Sequence, residues 1–298
     1  MLNTKGNDST RYVAELFDGM AAEYDNLSDL WYRHTFGFID AVLSSHFSAQ
    51  HPSVPLQALD VGCGTGIQSF RLASLGYEVE GIDISSGLIE VALQKAKNHP
   101  ELRCHFQLAD ARNIPFAAHS FDVVNCCGPT LSFIPEWQLS LEEIARCTKP
   151  GGRLLLEVEG KWAPDLFWEV ISAVFFDCFG YGEGLSDALA HFGRPWSKGH
   201  EIRYAFKREN GDAVSMPLRT FTSVELKKAL KAVGFSVVKR WGLHSVSNFI
   251  PSPLLHDAHP SRFVRRLFNL LRSIDLAVSG WPFFRSFGCS ILVLCVKE

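Results

Sequence analysis

Apolar and polar positions change their spacing several times along the chain. Between residues 11 and 48, Val13, Leu16, Phe17, Met20 and Ala21 recur at helical spacing, as do Phe36, Ile39, Val42 and Leu43. That spacing predicts helices. A proline-bearing linker, His51–Pro55, follows. Short apolar runs then alternate with helical patterns. Strands are predicted at Leu56–Val61, Tyr77–Ile82, Leu102–Leu108, Phe121–Cys126 and Arg153–Val158. Helices are predicted at about 67–75, from Ser85 or Ser86 to Asn98, and at about 136–147. A serine oxygen before a helix accepts N–H bonds that the first turn leaves open. Strands alternating with helices predict an α/β fold with a doubly wound, mostly parallel sheet covered on both faces. Ligands of such sheets sit at the carboxyl ends of the strands, where strand order reverses.

The alternation breaks after Glu159. Residues 160–200 are aromatic-rich and irregular, with Trp162, Phe167, Trp168, Phe175 and Phe176 followed by Phe179, Tyr181, Phe192 and Trp196. Two runs, Ile202–Arg208 and Ala213–Phe221, flank Asn210-Gly211, a hairpin turn signal. A helix at 224–233 and a strand at Phe235–Trp241 resume the earlier pattern, and Cys289–Lys297 is a last strand. The chain thus divides into an N-terminal helical segment (1–50), an α/β core (51–160) and an inserted aromatic-rich cap with a hairpin (161–222). The core sheet is completed by 223–242 and 288–298, around an inserted helical lid (243–287).

Composition changes this picture little. Hydrophobic residues make up 47% and charged residues 20%, ordinary values for a folded soluble chain. A net charge of -3 gives no basic footprint for nucleic acid, so none is expected as a partner. The polar N-terminus has no signal-peptide core, and no apolar run is long enough to span a bilayer, so a cytoplasmic protein is expected. The eight cysteines show no metal or redox spacing and read as reduced, buried thiols.

The candidate chemistry begins at Leu59-Asp60-Val61-Gly62-Cys63-Gly64-Thr65-Gly66, between a strand and a helix. Glycines let a backbone turn tightly and approach a ligand, and the helix start adds free N–H groups. A dinucleotide fingerprint needs a third glycine at 67, where the chain has Ile67. Asp83 ends the second strand and can accept both hydroxyls of a ribose. A helix-capping aspartate is the alternative. Asp110 follows the third strand, placed to accept an adenine amine while the Ala111 N–H faces a ring nitrogen. A turn-forming aspartate is the plainer alternative.

As an ordered set these segments resemble the class I S-adenosylmethionine-dependent methyltransferase superfamily, on its small-molecule branch. The segments are LDVGCGTG (59–66), VEGIDIS (79–85), LADARNIPF (108–116), FDVVNCC (121–127) and TKPGGRLLLEVEG (148–160). The resemblance implies a seven-stranded sheet with an antiparallel last strand. It implies that Asp60, Gly62, Cys63, Gly64 and Gly66 surround the methionine moiety of S-adenosylmethionine, with S-adenosylhomocysteine as product. Asp83 would bind the ribose, Ile84 would lie against the adenine, and Asp110 and Ala111 would read its edge. The backbone near Cys126 and Cys127 would face the amino acid end. The segment from Phe17 to Asp25 is similar to an N-terminal helix of several members, in which a tyrosine at the place of Tyr24 covers the cofactor.

The expected reaction moves a methyl group to an O or N atom of a small, partly hydrophobic acceptor. A Rossmann-type NAD(P) oxidoreductase and a non-catalytic S-adenosylmethionine-binding protein are the alternatives. A hydroxyl or amine acceptor needs a proton acceptor. His244, His191 and His200 lie in the inserted segments, and His244 is preferred because it follows a core strand. His256 and His259 form an H-x-x-H pair with no third ligand evident, and no metal is expected. The helix at 262–276 sets Arg262, Arg265, Arg266 and Arg272 against Phe263, Leu267, Leu270, Leu271 and Ile274. It reads as a solvated lid helix, with contact to a membrane surface as the alternative.

Overall fold

A computed structural model describes residues 4–22, 24–26, 29–47, 55–182, 184–191, 195–207, 213–257 and 259–298. Most of the linker at 51–55, Phe192 and the Asn210-Gly211 turn lie outside the described residues. Two N-terminal helices, α1 (Thr4–Asp18) and α2 (Leu30–His46), precede the core. Then come β1 (Gln57–Val61), α3 (Ile67–Ser74), β2 (Glu78–Asp83), α4 (Ser86–Asn98), β3 (Cys104–Leu108) and β4 (Phe121–Cys126). They are followed by α5 (Trp137–Cys147) and β5 (Thr148–Glu159). The cap holds α6 (Asp165–Val174), α7 (Leu185–Ala190) and the separate hairpin β6 (Glu201–Lys207) and β7 (Ala213–Arg219). The chain closes with α8 (Ser223–Ala232), β8 (Phe235–Leu243), α9 (Ser252–Leu255), α10 (Arg262–Val278) and β9 (Ser290–Lys297).

Seven strands form one sheet in the order β3-β2-β1-β4-β5-β9-β8. The pairs from β3 to β5 are parallel, and β9 runs antiparallel to both β5 and β8. The expected doubly wound sheet with an antiparallel last strand is therefore present. Strand order reverses between β1 and β4, which opens a crevice at their carboxyl ends.

Both sheet faces are covered, which is why the strands read as apolar runs rather than as alternation. Leu59, Val61, Val124 and Leu156 pack with Leu141, Ile144, Leu226 and Leu230 of α5 and α8. Ala58, Val79, Val123 and Leu155 pack on the other face with Ile39, Leu43, Leu72 and Ile89 of α2, α3 and α4. Ser85 caps α4 as the sequence predicts, accepting from the Leu88 N–H at 3.1 Å. The turn at Pro150–Gly152 is absorbed into β5 as an irregularity, with a register shift against β4.

The segment at 160–200 is more regular than its sequence suggests. Its longest helix, α6, shows no clear polar face because Phe167, Ile171 and Val174 are exposed apolar residues. A tight loop follows, built around Asp177. The Asp177 carboxylate accepts from the Ser172 hydroxyl and the Tyr181 N–H at 2.8 Å each, and from the Gly182 N–H at 3.0 Å. Cap and lid are joined. The Asp165 N–H donates to Asn248 Oδ1 at 2.9 Å, and the Asp165 carboxylate accepts from Asn248 Nδ2 at 3.0 Å and the Ser252 N–H at 3.2 Å.

Candidate active site

The loop after β1 carries three residues in the left-handed region: Gly62 at φ 71°, Gly64 at 54° and Gly66 at 85°. Space adds a second constraint. A Cβ on Gly62 would lie 2.2 Å from Thr130 Oγ1, and one on Gly66 would lie 2.8 Å from the Phe106 ring. Only glycine therefore lets this loop fold over the ends of β1 and β4. Asp83, at the end of β2, fixes the loop from the side. Its carboxylate accepts from the Gly64 N–H and the Ser85 N–H, each at 2.9 Å. Burial raises its pKa against these stabilising bonds.

Loops from four strand ends converge on one cavity. Its floor and one wall come from Gly62, Gly64, Asp83 and Ile84, with Asp110 and Ala111 behind them. Gly128 and Thr130 after β4 close the opposite side. The roof is apolar: Val13 and Phe17 of α1, Tyr24, and Phe133. The Phe17 and Phe133 rings meet edge to face, 5.7 Å between centroids.

The N-terminal segment is held there by its acids. Asp18 accepts from the Gly87 N–H at 2.8 Å and the Ser85 hydroxyl at 2.6 Å, at the start of α4. Asp25 accepts from the Thr65 hydroxyl at 2.6 Å and pairs with Lys95. The sequence reading missed both roles, because each partner lies dozens of residues away.

A family model for a methyltransferase domain matches residues 59–156. Residues 59–156 thus carry a methyltransferase domain. A demethylmenaquinone methyltransferase of Staphylococcus haemolyticus is 30% identical over 163 residues, 51% of this chain and 62% of that protein. A ubiquinone biosynthesis O-methyltransferase of Coxiella burnetii is 33% identical over 120 residues, 39% of this chain and 49% of that protein. The chain thus covers less than two thirds of either relative's length. Among solved structures, the cyclase SpnF shares the fold, with a TM-score of 0.60 at 18% identity over 97% of this chain and 96% of that one.

Gly62, Gly64, Asp83, Ile84, Asp110 and Ala111 of the methyltransferase domain line the cavity together with Tyr24 of the N-terminal segment. Other residues picked from the sequence stand behind it. Asp60 is buried and accepts from the Ser69 hydroxyl at 2.5 Å and Asn125 Nδ2 at 2.7 Å, bracing α3 against β4. Burial pushes its carboxyl up to about 6, against the lowering effect of those bonds. Cys63 packs into the core beside β2, and Gly66 caps α3. Cys126 and Cys127 are fully buried, and burial raises both thiols. Their neighbours Gly128 and Thr130 reach the cavity instead. At Asp110, burial alone would raise the carboxyl. The Arg112 guanidinium, with bonds of 2.7–3.1 Å, outweighs this and holds it low.

The histidines do not join this cavity. His244, the preferred base, is sealed under α2 and α10, with its ring stacked on Trp31 at 3.8 Å. Its Nε2 pairs with the Thr35 hydroxyl at 2.9 Å and its Nδ1 with Ser247 Oγ at 3.0 Å. The Ser247 hydroxyl donates to Asp275 at 2.6 Å, so its oxygen accepts from His244 Nδ1–H. That leaves Nε2 as acceptor for Thr35, with no lone pair free for a substrate. Burial, then the nearby His34 and His256, hold the ring pKa far down, so it is neutral. His34 completes the cluster, with Nε2 3.3 Å from the Asp275 carboxylate. His34, His244 and Asp275 stand close enough to suit a metal, yet hydrogen bonds between protein groups already occupy both His244 nitrogens. His191 pairs with Glu169 at 3.2 Å, and its ring lies 5.3 Å from that of His200. His256 turns away from His259 to bond Asp29 at 2.9 Å.

The sequence reading also missed two acids at the end of β5. Glu157 is fully buried. Its Oε2 accepts from the N–H of the cavity residue Gly128 at 2.7 Å, while its Oε1 makes no hydrogen bond of ordinary length among the described residues, the Ser290 hydroxyl lying near enough only to offset part of the upward push of burial on its pKa. Tyr24 lies close enough to Glu157 to feel its charge, although burial is the larger reason its hydroxyl pKa is raised. Glu159 is half-buried, and burial, then Glu157 and Asp165, push its carboxyl up to about 8. The Glu159 N–H donates to Ser132 Oγ at 2.9 Å, tying β5 to the turn that carries Phe133.

His244→Ala should behave as a packing lesion. It should cost roughly 2–4 kcal/mol in denaturant unfolding, from a cavity and orphaned hydroxyls. Affinity for S-adenosylhomocysteine, read by calorimetry, should stay unchanged. A variant of normal stability would show that His244 is not the buried tie described.

Proposed function

We propose that this chain transfers a methyl group from S-adenosylmethionine to an O or N atom of a small, partly hydrophobic molecule. A quinone-type ring is the favoured acceptor class. The observation that carries this reading is the convergence of four strand-end loops on a cavity with a ribose-competent carboxylate, Asp83, and an apolar roof. The two quinone-pathway relatives support the acceptor class by resemblance.

The residues present fit the cofactor. Asp83 keeps lone pairs free for ribose hydroxyls beyond its two backbone bonds. Ile84 and Ala111 offer apolar surface, and Asp110 a carboxylate, for an adenine. Glu157 Oε1, a buried oxygen without a hydrogen bond of ordinary length, suits an α-ammonium, because a lone buried charge gains most from an ionic donor. Bound S-adenosylmethionine supplies a methyl group already activated by its sulfonium. The chain must then align the acceptor and exclude water, which the roof of Val13, Phe17 and Phe133 is placed to do.

An acceptor hydroxyl or amine also has a proton to lose. Glu159, tied through its N–H to Ser132 beside the cavity residue Phe133, is the candidate for this role. It sits at the carboxyl end of β5, and a carboxyl tuned towards neutral pH is an effective base.

Two measurements test this assignment. Asp83→Ala should weaken S-adenosylhomocysteine binding at least about tenfold, and Glu157→Gln should do the same, since each removes a charge-assisted bond. Glu157→Gln should leave 5′-methylthioadenosine, which lacks the amino acid end, unaffected. Equal losses for both ligands would remove Glu157 from the ammonium site.

Glu159 should also leave a mark on stability. Its folded pKa, about 8, lies above the ordinary carboxyl value of 4.5, so the folded state retains a proton that the unfolded state loses. Its contribution is fully present below 4.5 and is lost as pH rises through 8. Relative to the parent, Glu159→Gln should therefore gain melting temperature across that window and level off above it. A difference that does not vary with pH would contradict the raised pKa.

A further inference from the structure

Most large apolar side chains exposed among the described residues lie in the cap and the lid, not on the methyltransferase domain. On α10 they are ordered. Val264, Phe268, Leu271 and Asp275 face inward, and Val264, Phe268 and Leu271 pack with Trp31, Ile250 and Leu255. Phe263, Leu270 and Ile274 form a second stripe, spaced seven and four residues apart, that is exposed to solvent. Phe263 is 73% exposed and Leu270 61%. Beside this stripe stand Arg262 and Arg266, both exposed and neither in an ion pair among the described residues. Asp275, the single acid of the helix, is buried in the cluster with His34 and Ser247. The outer surface of α10 is thus apolar and cationic, on a chain whose net charge is -3.

The cap adds an independent feature. Phe167, Ile171, Val174 and Phe175 share one outward face of α6 and its end, with no charged residue among them. Phe176 is 100% exposed at φ 55°, a left-handed conformation costly for a bulky residue. The bonds around Asp177 fix that loop, so the ring is held out by structure. The tie through Asp165, Asn248 and Ser252 makes α6 and the lid one unit.

We infer that the outer surface of this lid docks on an anionic lipid bilayer, with α10 lying in the headgroup layer, its Phe263–Leu270–Ile274 stripe inserted and its arginines on lipid phosphates. The charge pattern favours this occupant. An interfacial helix needs an apolar stripe beside a basic one, and both are present with no exposed acid. Arginine forks also match phosphate oxygens. The docking does not itself rest on methyl transfer, because it requires neither donor nor acceptor.

The test is sedimentation of the full chain with phosphatidylcholine vesicles, with and without phosphatidylglycerol. The parent should sediment with the anionic vesicles, and high salt should weaken the binding. Phe263→Ser/Leu270→Ser and Arg262→Ala/Arg266→Ala should each lower partitioning about tenfold or more. Both should keep the parent's S-adenosylhomocysteine affinity and melting temperature, since these side chains are exposed. Failure of the parent to bind either vesicle would overturn the inference, as would variants that bind like the parent. Self-association of the parent without vesicle binding, abolished by the apolar variant, would assign the face to a second copy instead.

Discussion

The site depends on a steric constraint in the loop after β1. Three glycines at positive φ bring the backbone across the carboxyl ends of β1 and β4, and at Gly62 the space for a Cβ is already filled by Thr130. This loop can lie so close because strand order reverses between β1 and β4, leaving no neighbouring strand connection in the way. Asp83 then converts the bend into a fixed surface by accepting from the Gly64 N–H. The roof follows from the same loop, since Thr65 donates to Asp25 and so anchors the segment carrying Tyr24. Removing the bend would therefore disturb the floor, the side wall and the roof together.

Charge is distributed with a bias around that bend. Asp60, Asp83, Glu157 and Glu159 all lie at or near the strand ends, and burial raises each carboxyl pKa. Such clustering costs stability in an empty site and becomes favourable when a cationic ligand enters. A sulfonium donor with an α-ammonium group is a ligand of that kind, whereas a pyrophosphate would meet repulsion. The electrostatics therefore argue against a dinucleotide along with Ile67, which holds the place of a third glycine.

What the sequence made legible was local. The core strands were visible because a sheet covered on both faces needs continuous apolar runs. The glycine loop, the Ser85 cap, Asp83 and Asp110 were visible because each acts within a few residues of its own strand end. The rest depended on distant partners. His244 resembles a site residue when read after β8, and only its bonds to Thr35 and Ser247 show it to be a tie between lid and α2. Glu157 looked like one more position of an apolar strand until its under-bonded oxygen appeared beside Gly128. The helix α6 escaped notice because its outward face is as apolar as its inward one, which erases the helical period.

The central claim is that the cavity over β1 and β4 is built for S-adenosylmethionine, and titration calorimetry on the unmodified chain tests it most directly. S-adenosylhomocysteine should bind with one site per chain and raise the melting temperature, while NADH should do neither. Tight NADH binding, with no heat or thermal shift from S-adenosylhomocysteine, would contradict it.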